Sequence, residues 1–388
     1  MRFKILTLNN ISVAGLQNLP REYYEVASEI VHPDAILLRS HDLHDLEIPE
    51  TLRAVARAGV GVNNVPVERL TERGIPVFNA PGANANAVKE LVVAGMLLAA
   101  RNICPAWAYV RALEGSAEDI KRAVEAGKKQ FVGYELPRRV LGVVGLGAIG
   151  VEVANAALGL GMRVIGFDPG MTVERAWQLS ASVEQATSLD DLLARCDMVS
   201  LHVPLNAKTR GLMSAERLGL MRQGGVLLNF SRAEIVDEKG LVEALGQDHL
   251  SNYVCDFPSP EIKDHPQVVA LPHLGASTLE AEDNCAVMVV DNMREYLENG
   301  NIRHSVNFPQ AVMPRAGSSR LTVANRNVPN MVGQVSTCLA NSGLNILDML
   351  NQSRGDVAYT LVDLDREVPE ETYKQIASID GVLAARVI

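Results

Sequence analysis

Residues 141–169 read LGVVGLGAIGVEVANAALGLGMRVIGFDP, and this stretch decides the fold. An apolar strand, Val140–Val144, runs into Gly145-Leu-Gly147-Ala148-Ile149-Gly150, a GxGxxG that opens a helical pattern. A second apolar strand follows and ends on Asp168, 18 residues after Gly150. Each glycine has a reason. Gly145 makes the tight turn, Gly147 lets backbone approach a pyrophosphate, and Gly150 lets helix and strand pack closely. The helix N-terminus, with Ala148 and Ile149 in its first turn, offers unpaired N–H groups to phosphates. Asp168 is placed to accept hydrogen bonds from ribose hydroxyls. A 2′-phosphate there would meet a carboxylate, so the expected cofactor is NAD over NADP. The plainer reading is a glycine-rich turn that holds no ligand.

Working outward, further strand-like patches alternate with helical ones. After the glycine turn come DMVSLHVP, GGVLLNFS and VVALPHLG. Before it come FKILTL (3–8), AILLRS (35–40) and PVFNAP (76–81), with ETLRAVARAG (50–59) reading as a helix that stops at Gly59. NANAVKELVVAGMLLAARN (84–102) reads as one long, largely buried helix, and residues 276–301 as a long amphipathic helix closed by Gly300. Strand–helix alternation implies parallel sheets with crossover connections. The last 70 or so residues differ. They read strand (RLTVAN), helix (MVGQVSTCLANSG), strand (NILDMLNQ), strand (VAYTLVDL), helix (ETYKQIAS), strand (VLAARVI). That βαββαβ order is ferredoxin-like.

Bulk properties fit this outline. The chain has 388 residues, 47% of them hydrophobic and 21% charged, which suits a soluble globular protein of two or three domains. Its net charge of −10 argues against nucleic acid as the main partner, although a local basic pocket can still hold a small anion. Cys104, Cys196, Cys255, Cys285 and Cys338 are scattered and form no CxxC, which fits reduced thiols and neither a disulfide framework nor a zinc site. No metal is expected. The N-terminus is too poor in apolar residues for a signal peptide, and the longest apolar run, Leu91–Ala100, is about half a membrane span. A cytoplasmic protein without a membrane partner is expected.

Several segments resemble the D-isomer-specific 2-hydroxyacid dehydrogenase family: RAGVGVNNV (57–65), NAPGANANAVKEL (79–91), LHVPLNAKTRGL (201–212), LLNFSRAEIVDEKGLVEAL (227–245), CDFPSPE (255–261) and LPHLGAST (271–278). They span nearly all of residues 1–300, in the order that family shows. The terminal unit resembles an ACT regulatory domain. The resemblance implies two doubly wound parallel-sheet domains and a ferredoxin-like tail. The first domain, flavodoxin-like and substrate-binding, is expected from 1–92 and 277–306. A Rossmann NAD domain is expected from 93–276, a polar linker from 307–317 and the ACT domain from 318–388.

The implied chemistry is oxidation of an alcohol to a ketone by hydride transfer, which needs a base, a carboxylate anchor and a rigid pocket. The resemblance makes His273 the base and Arg232 the bidentate carboxylate anchor. Glu261, 29 residues past Arg232, would pair with His273. Asp256 would bind the nicotinamide carboxamide. His202, with Val203 and Pro204, would lie beside the adenine end of the cofactor. Phe230, Ser231 and Gly275 are carried over as further cofactor contacts. Taken alone, His273 would be a satisfied structural histidine, Glu261 a solvated loop acid and Arg232 a surface arginine. The chain departs from the family at Ala233 and Glu234, where two glycines are usual, at Ala85, where a hydroxyl is usual, and in a short segment between Glu261 and His273.

For the substrate, Asn79, Gly82, Ala83 and Asn84 form the loop before the long helix, where backbone N–H groups could hold a carboxylate. Arg39 and Ser40, with Lys128 and Lys129, are candidates for holding a phosphate three carbons away. The lysines read equally as a solvated charge run. The resemblance, a dehydrogenase of this family with an ACT-like tail, implies 3-phospho-D-glycerate as the substrate. Alternatives within the family are glyoxylate, hydroxypyruvate or 2-hydroxyglutarate, and outside enzymes an NAD-sensing corepressor-like binding protein. In the tail, Asn325, Asn327 and Asn345 fit amides that could hold L-serine as an effector. The plainer reading of the tail is a domain used only for oligomer contacts. A homo-oligomer, dimer or tetramer, is expected because the helices near the hinge are unusually apolar.

Overall fold

A computed structural model describes residues 2–388. It divides into two compact units, Met1–Asn84 with Leu279–Ile388, and Ala85–Thr278.

The first unit holds a five-stranded parallel sheet of β1 (Phe3–Leu8), β2 (Tyr24–Ala27), β3 (Ala35–Leu38), β4 (Ala54–Arg57) and β5 (Val77–Phe78). Their order is β2-β1-β3-β4-β5, the flavodoxin-like order. β4 corrects the sequence reading, which took residues 50–59 for a helix. Ala54, Val55 and Ala56 are fully buried, and Ala35↔Ala54 and Val55↔Val77 pair on either side. An interior parallel strand is apolar on both faces, so its four residues show no two-residue alternation that could mark it as a strand. Helix Leu279–Asn299 covers this sheet, with Val289, Val290, Met293 and Leu297 in the same core as Ile5, Leu37 and Phe78.

The second unit holds a seven-stranded parallel sheet. Its strands are β6 (Val140–Val144), β7 (Arg163–Phe167), β8 (Glu184–Gln185), β9 (Met198–Leu201), β10 (Gly225–Asn229), β11 (Leu250–Cys255) and β12 (Val268–Ala270). The order β12-β11-β10-β9-β6-β7-β8 places β6, the strand before the glycine turn, where the winding direction reverses. Helix Ala85–Ala100 lies wholly in this unit. Val88, Val92, Met96 and Ala99 share a core with Val143, Leu228 and Phe230. The unbroken helix is therefore not divided at residue 92. A left-handed Asn102 (φ 49°) bends the chain by 68° into helix Ile103–Arg111, whose Trp107 is 63% exposed. No single helix among the described residues is long and apolar enough to cross a membrane.

The terminal sheet, also in the first unit, comprises β13 (Ser319–Arg326), β14 (Ile346–Arg354), β15 (Val357–Leu364) and β16 (Val382–Val387) in the antiparallel order β14-β15-β13-β16. The βαββαβ reading holds for all six elements. One face packs on helices Met331–Asn341 and Glu370–Ala377 through Val335, Leu339 and Ile376. On the other, Ala324, Tyr359 and Leu361 join the core that contains Tyr296 and Leu297. The segment expected to be a polar linker is packed instead. Phe308, Ala311 and Met313 are buried, and Ile302 and Ala311 exchange backbone hydrogen bonds. Its apolar residues are spaced too irregularly to register as an element, yet they fill the gap beside the sheet. Arg320 and Asp363 form an ion pair with both side chains 0% exposed. The guanidinium also donates to the carbonyls of Asn299, Met313 and Pro314, so its buried charge is fully bonded.

Candidate active site

The glycine turn has the geometry its sequence predicts. Gly145 is left-handed (φ 92°), and a Cβ there would lie 2.6 Å from the His202 carbonyl oxygen. A Cβ on Gly150 would lie 1.9 Å from the Gly145 oxygen, whereas one on Gly147 would meet nothing within 4 Å. Gly147 is exposed at the N-terminus of helix Ala148–Gly159. The surface above it is open for a phosphate to meet the N–H groups of Ala148 and Ile149. Asp168 ties the turn down: its Oδ2 accepts from Leu146 N at 2.8 Å and its Oδ1 from Gly170 N at 2.8 Å. Each oxygen keeps a second lone pair for a ribose hydroxyl.

His202 is half-buried after β9 and shares a 2.8 Å hydrogen bond between its Nε2 and the Ser200 hydroxyl. Burial pulls its pKa down to about 4, so the ring is neutral at physiological pH. Val203 is half-buried and Pro204 exposed beside it. Phe230 lies just past β10. Its ring is buried against helix Ala85–Ala100, where a Cβ on Gly95 would stand 3.1 Å from it, so the side chain serves the core and only its backbone could face a cofactor.

Beyond β10 the chain is clamped by Asn229, which the sequence reading did not single out. Its Oδ1 accepts from Ser231 N at 3.1 Å, and its Nδ2 donates to the Arg232 carbonyl at 2.9 Å and to the Tyr253 hydroxyl at 3.2 Å. The Ser231 hydroxyl donates to the Leu201 carbonyl at 2.7 Å. Arg232 is thus held extended (φ −152°, ψ 143°), and its Nη1 donates to the Ser231 carbonyl. Ala233 and Glu234 form a short 3₁₀ turn without positive φ, so the conformation does not call for the two glycines usual there. An amide ending a wholly apolar strand was the available signal for Asn229, since a buried polar side chain must find partners.

Beyond β11, Asp256 is 1% exposed. Its Oδ2 accepts from Gly275 N at 3.1 Å, while its Oδ1 is buried with no partner among the described residues. Burial raises its pKa, against the opposing pull of the Gly275 N–H and the His273 ring. An orphaned carboxylate oxygen is what a carboxamide N–H₂ would satisfy, so the site fits a nicotinamide.

The next residue, Phe257, joins two of the predicted catalytic groups. The Arg232 Cζ lies 5.6 Å from the Phe257 ring centroid, and the His273 ring centroid lies 4.4 Å from it at 48°. Arg232, Asp256 and His273 therefore meet at the C-terminal ends of β10, β11 and β12, where parallel sheets bind ligands. Glu261 does not join them. It is exposed in the turn after Pro260, and no hydrogen bond or ion pair links it to His273 among the described residues. The short segment before β12 keeps its carboxylate in solvent, which corrects the expected Glu–His pair.

The other expected site residues lie apart in sequence and partly in the first unit. Arg39 forms a 2.6 Å ion pair with Glu282 on helix Leu279–Asn299. With Ser40, Asn9 and Asn10 it lines a concavity of about 500 Å³. The Asn9 Oδ1 accepts from Ser40 N and His41 N, which shapes that loop. Asn79 donates to the Val60 carbonyl at 2.7 Å, Gly82 is left-handed (φ 83°), Ala83 N donates to the Ala80 carbonyl, and the Asn84 Oδ1 is buried with no partner among the described residues. Lys128 and Lys129 are exposed, and Lys128 pairs with Glu125. In the terminal sheet, Asn325 and Asn327 flank the end of β13. Asn325 donates to Arg326 O, and Asn327 to Gly355 O beside the far end of β14. Asn345 precedes the start of β14 and bonds Asp365. β13 and β14 both run antiparallel to β15, so Asn345 sits at the opposite end of the sheet from Asn325 and Asn327. The three amides do not form one pocket within this chain.

Residues 93–275 match the D-isomer specific 2-hydroxyacid dehydrogenase NAD binding domain. The chain is 33% identical to D-3-phosphoglycerate dehydrogenase of Escherichia coli (strain K12), over 98% of this chain and 94% of the relative. It is 34% identical to D-3-phosphoglycerate dehydrogenase of Methanocaldococcus jannaschii, over 88% of this chain and 63% of the relative. A crystal structure of NAD⁺-bound 3-phosphoglycerate dehydrogenase from Entamoeba histolytica shares the fold, with a TM-score of 0.62, 24% identity, and coverage of 79% of this chain and 99% of that one. The chain belongs to the D-isomer-specific 2-hydroxyacid dehydrogenases, enzymes that use NAD.

Proposed function

We propose that this enzyme oxidises 3-phospho-D-glycerate to 3-phosphohydroxypyruvate, the first step of L-serine biosynthesis, in the cytoplasm. The observation that carries the reading is the convergence of Arg232 and His273 on one ring beside the buried Asp256. Arg232 grips the substrate carboxylate with its forked guanidinium. His273 removes the hydroxyl proton to one of its imidazole nitrogens as the C–H hydride leaves. When bound, NAD supplies the hydride acceptor. Asp256 holds the carboxamide through its free Oδ1 and so selects the ring face. Glu261 stands outside this set, so the proton path is assigned to His273 alone.

The choice of a phosphorylated substrate rests on the terminal unit. Relatives called D-3-phosphoglycerate dehydrogenase align over 98% of the chain, the terminal unit included. Arg39 is the phosphate candidate, its Glu282 partner giving way to the dianion, with Lys128 and Lys129 as further candidates. L-Serine is the proposed effector of the terminal unit. Since Asn345 and the Asn325–Asn327 pair lie at opposite ends of the sheet, a site using both needs a second copy of the chain.

The experiment compares NADH production at alkaline pH with 3-phosphoglycerate, D-glycerate, D-lactate and D-2-hydroxyglutarate. A higher kcat/KM for 3-phosphoglycerate supports the reading, and a preference for any unphosphorylated acid overturns it. Arg39→Ala is expected to raise KM for the phosphorylated substrate far more than for D-glycerate.

A further inference from the structure

Phe257 is half-buried at the end of β11, yet it belongs to none of the apolar clusters among the described residues. A large apolar side chain placed next to a buried strand normally joins the core beneath it. The ring of this one meets the Arg232 guanidinium and the His273 imidazole. These two groups come from separate loops, after β10 and after β12, and no hydrogen bond joins them to each other. With Glu261 turned to solvent, no carboxylate among the described residues bonds the His273 ring either. The backbones of both loops are pinned, by Asn229 and by the Gly275–Asp256 hydrogen bond. The side chains beyond those pins need something to rest against.

We infer that Phe257 is a positioning residue: its ring is the spacer that sets the distance and orientation between the carboxylate anchor Arg232 and the base His273. The two groups can be no farther apart than 5.6 Å and 4.4 Å laid end to end through the ring centroid. A substrate carboxylate and its neighbouring hydroxyl occupy adjacent carbons, so the anchor and the base must keep a fixed short separation to serve both. A rigid ring with two torsions holds that separation at little entropic cost, which a flexible aliphatic side chain cannot do. The π-face also attracts the guanidinium, favouring the rotamer that points along it.

The inference rests on the reading that Arg232 and His273 carry the reaction, so the test has an arm that needs no turnover. Phe257→Ala is expected to lower kcat/KM by about a hundredfold, the scale of a roughly 1 Å misplacement of reacting groups. NADH affinity and melting temperature should stay near the parent values, because the ring packs in no core. Phe257→Leu should fall between, and Phe257→Tyr should recover most of the loss. The losses from Phe257→Ala and His273→Asn should not multiply when combined, because both act on one group. In the second arm, the His273 side-chain resonances of the NAD-bound protein, observed with labelled histidine, should be single and sharp in the parent and in Phe257→Tyr, and broadened by exchange between ring orientations in Phe257→Leu. If the parent turns over no 2-hydroxy acid, the functional reading fails and this arm alone judges the spacer. Unchanged His273 resonances in Phe257→Leu, full activity of Phe257→Ala, or losses that multiply with those of His273→Asn would each overturn the inference.

Discussion

Two glycines of one turn, three residues apart, should respond to the same added methyl in different ways. At Gly150 the new Cβ would stand 1.9 Å from the Gly145 oxygen, where ordinary contact starts near 3.4 Å. The turn or the helix must yield by roughly 1.5 Å, an overpacking strain of about 1–3 kcal/mol. In a unit of this size that lowers the melting temperature by roughly 3–10 °C, and it displaces the N–H groups meant for phosphates. At Gly147 the Cβ would meet nothing within 4 Å beyond its own chain neighbours, and the backbone is already extended (φ −71°, ψ −162°). Removing a glycine from the unfolded chain stabilises by about 0.4–1 kcal/mol. Placing alanine at a helix N-cap costs a similar amount. The melting temperature of Gly147→Ala should therefore stay close to the parent's. Its methyl instead occupies the space a pyrophosphate needs, so NADH affinity should fall by at least about tenfold, on the order of 1.4 kcal/mol. Differential scanning calorimetry without cofactor and fluorescence titration with NADH separate the two effects. Equal melting losses in both variants, or undiminished NADH binding by Gly147→Ala, would refute the reasoning.

Other outcomes follow from single groups. Asp256→Ala removes a buried carboxylate whose pKa is raised by burial, so the folded protein should be slightly more stable at neutral pH while NADH binds about tenfold more weakly, by melting and titration. Arg320→Met leaves Asp363 buried without its partner and should cost about 3–5 kcal/mol in urea unfolding. Burial would raise the Asp363 pKa, but the Arg320 and Ala316 hydrogen bonds outweigh it and hold the carboxyl below its ordinary 3.8. Its contribution to stability is thus present above that value and is lost as pH falls through the depressed one, a loss that Asp363→Asn should no longer show. His202, with its pKa lowered to about 4 from 6.5, takes up a proton in the unfolded chain before it does so in the folded one. Stability should fall as pH drops from 6.5 towards 4, and His202→Gln should flatten that slope in melting curves.

Much of the fold was legible because local rules were sufficient. The glycine turn declared itself through a conformation that Gly145 alone tolerates and an approach that only Gly150 permits. The terminal βαββαβ unit was readable because its helices and antiparallel strands keep their periodicities. β4 was not, since an interior strand flanked on both faces carries no alternation. The segment expected to be a linker looked unstructured because its role is to fill space between elements.

The candidate site divides the same way. The sequence by itself determined which groups are available: a guanidinium, an imidazole and a carboxylate, each at the end of a strand whose apolar run marks it. Only the tertiary structure decided which of them meet. It brought Arg232 and His273 to the ring of Phe257, left Glu261 in solvent, set Asn345 across the sheet from Asn325, and turned Phe230 inward. The physical reason is range. Turn chemistry and strand patterning are fixed by neighbours a few residues away, whereas contacts between residues 232, 257 and 273 depend on strand order and on loop lengths that no local pattern encodes.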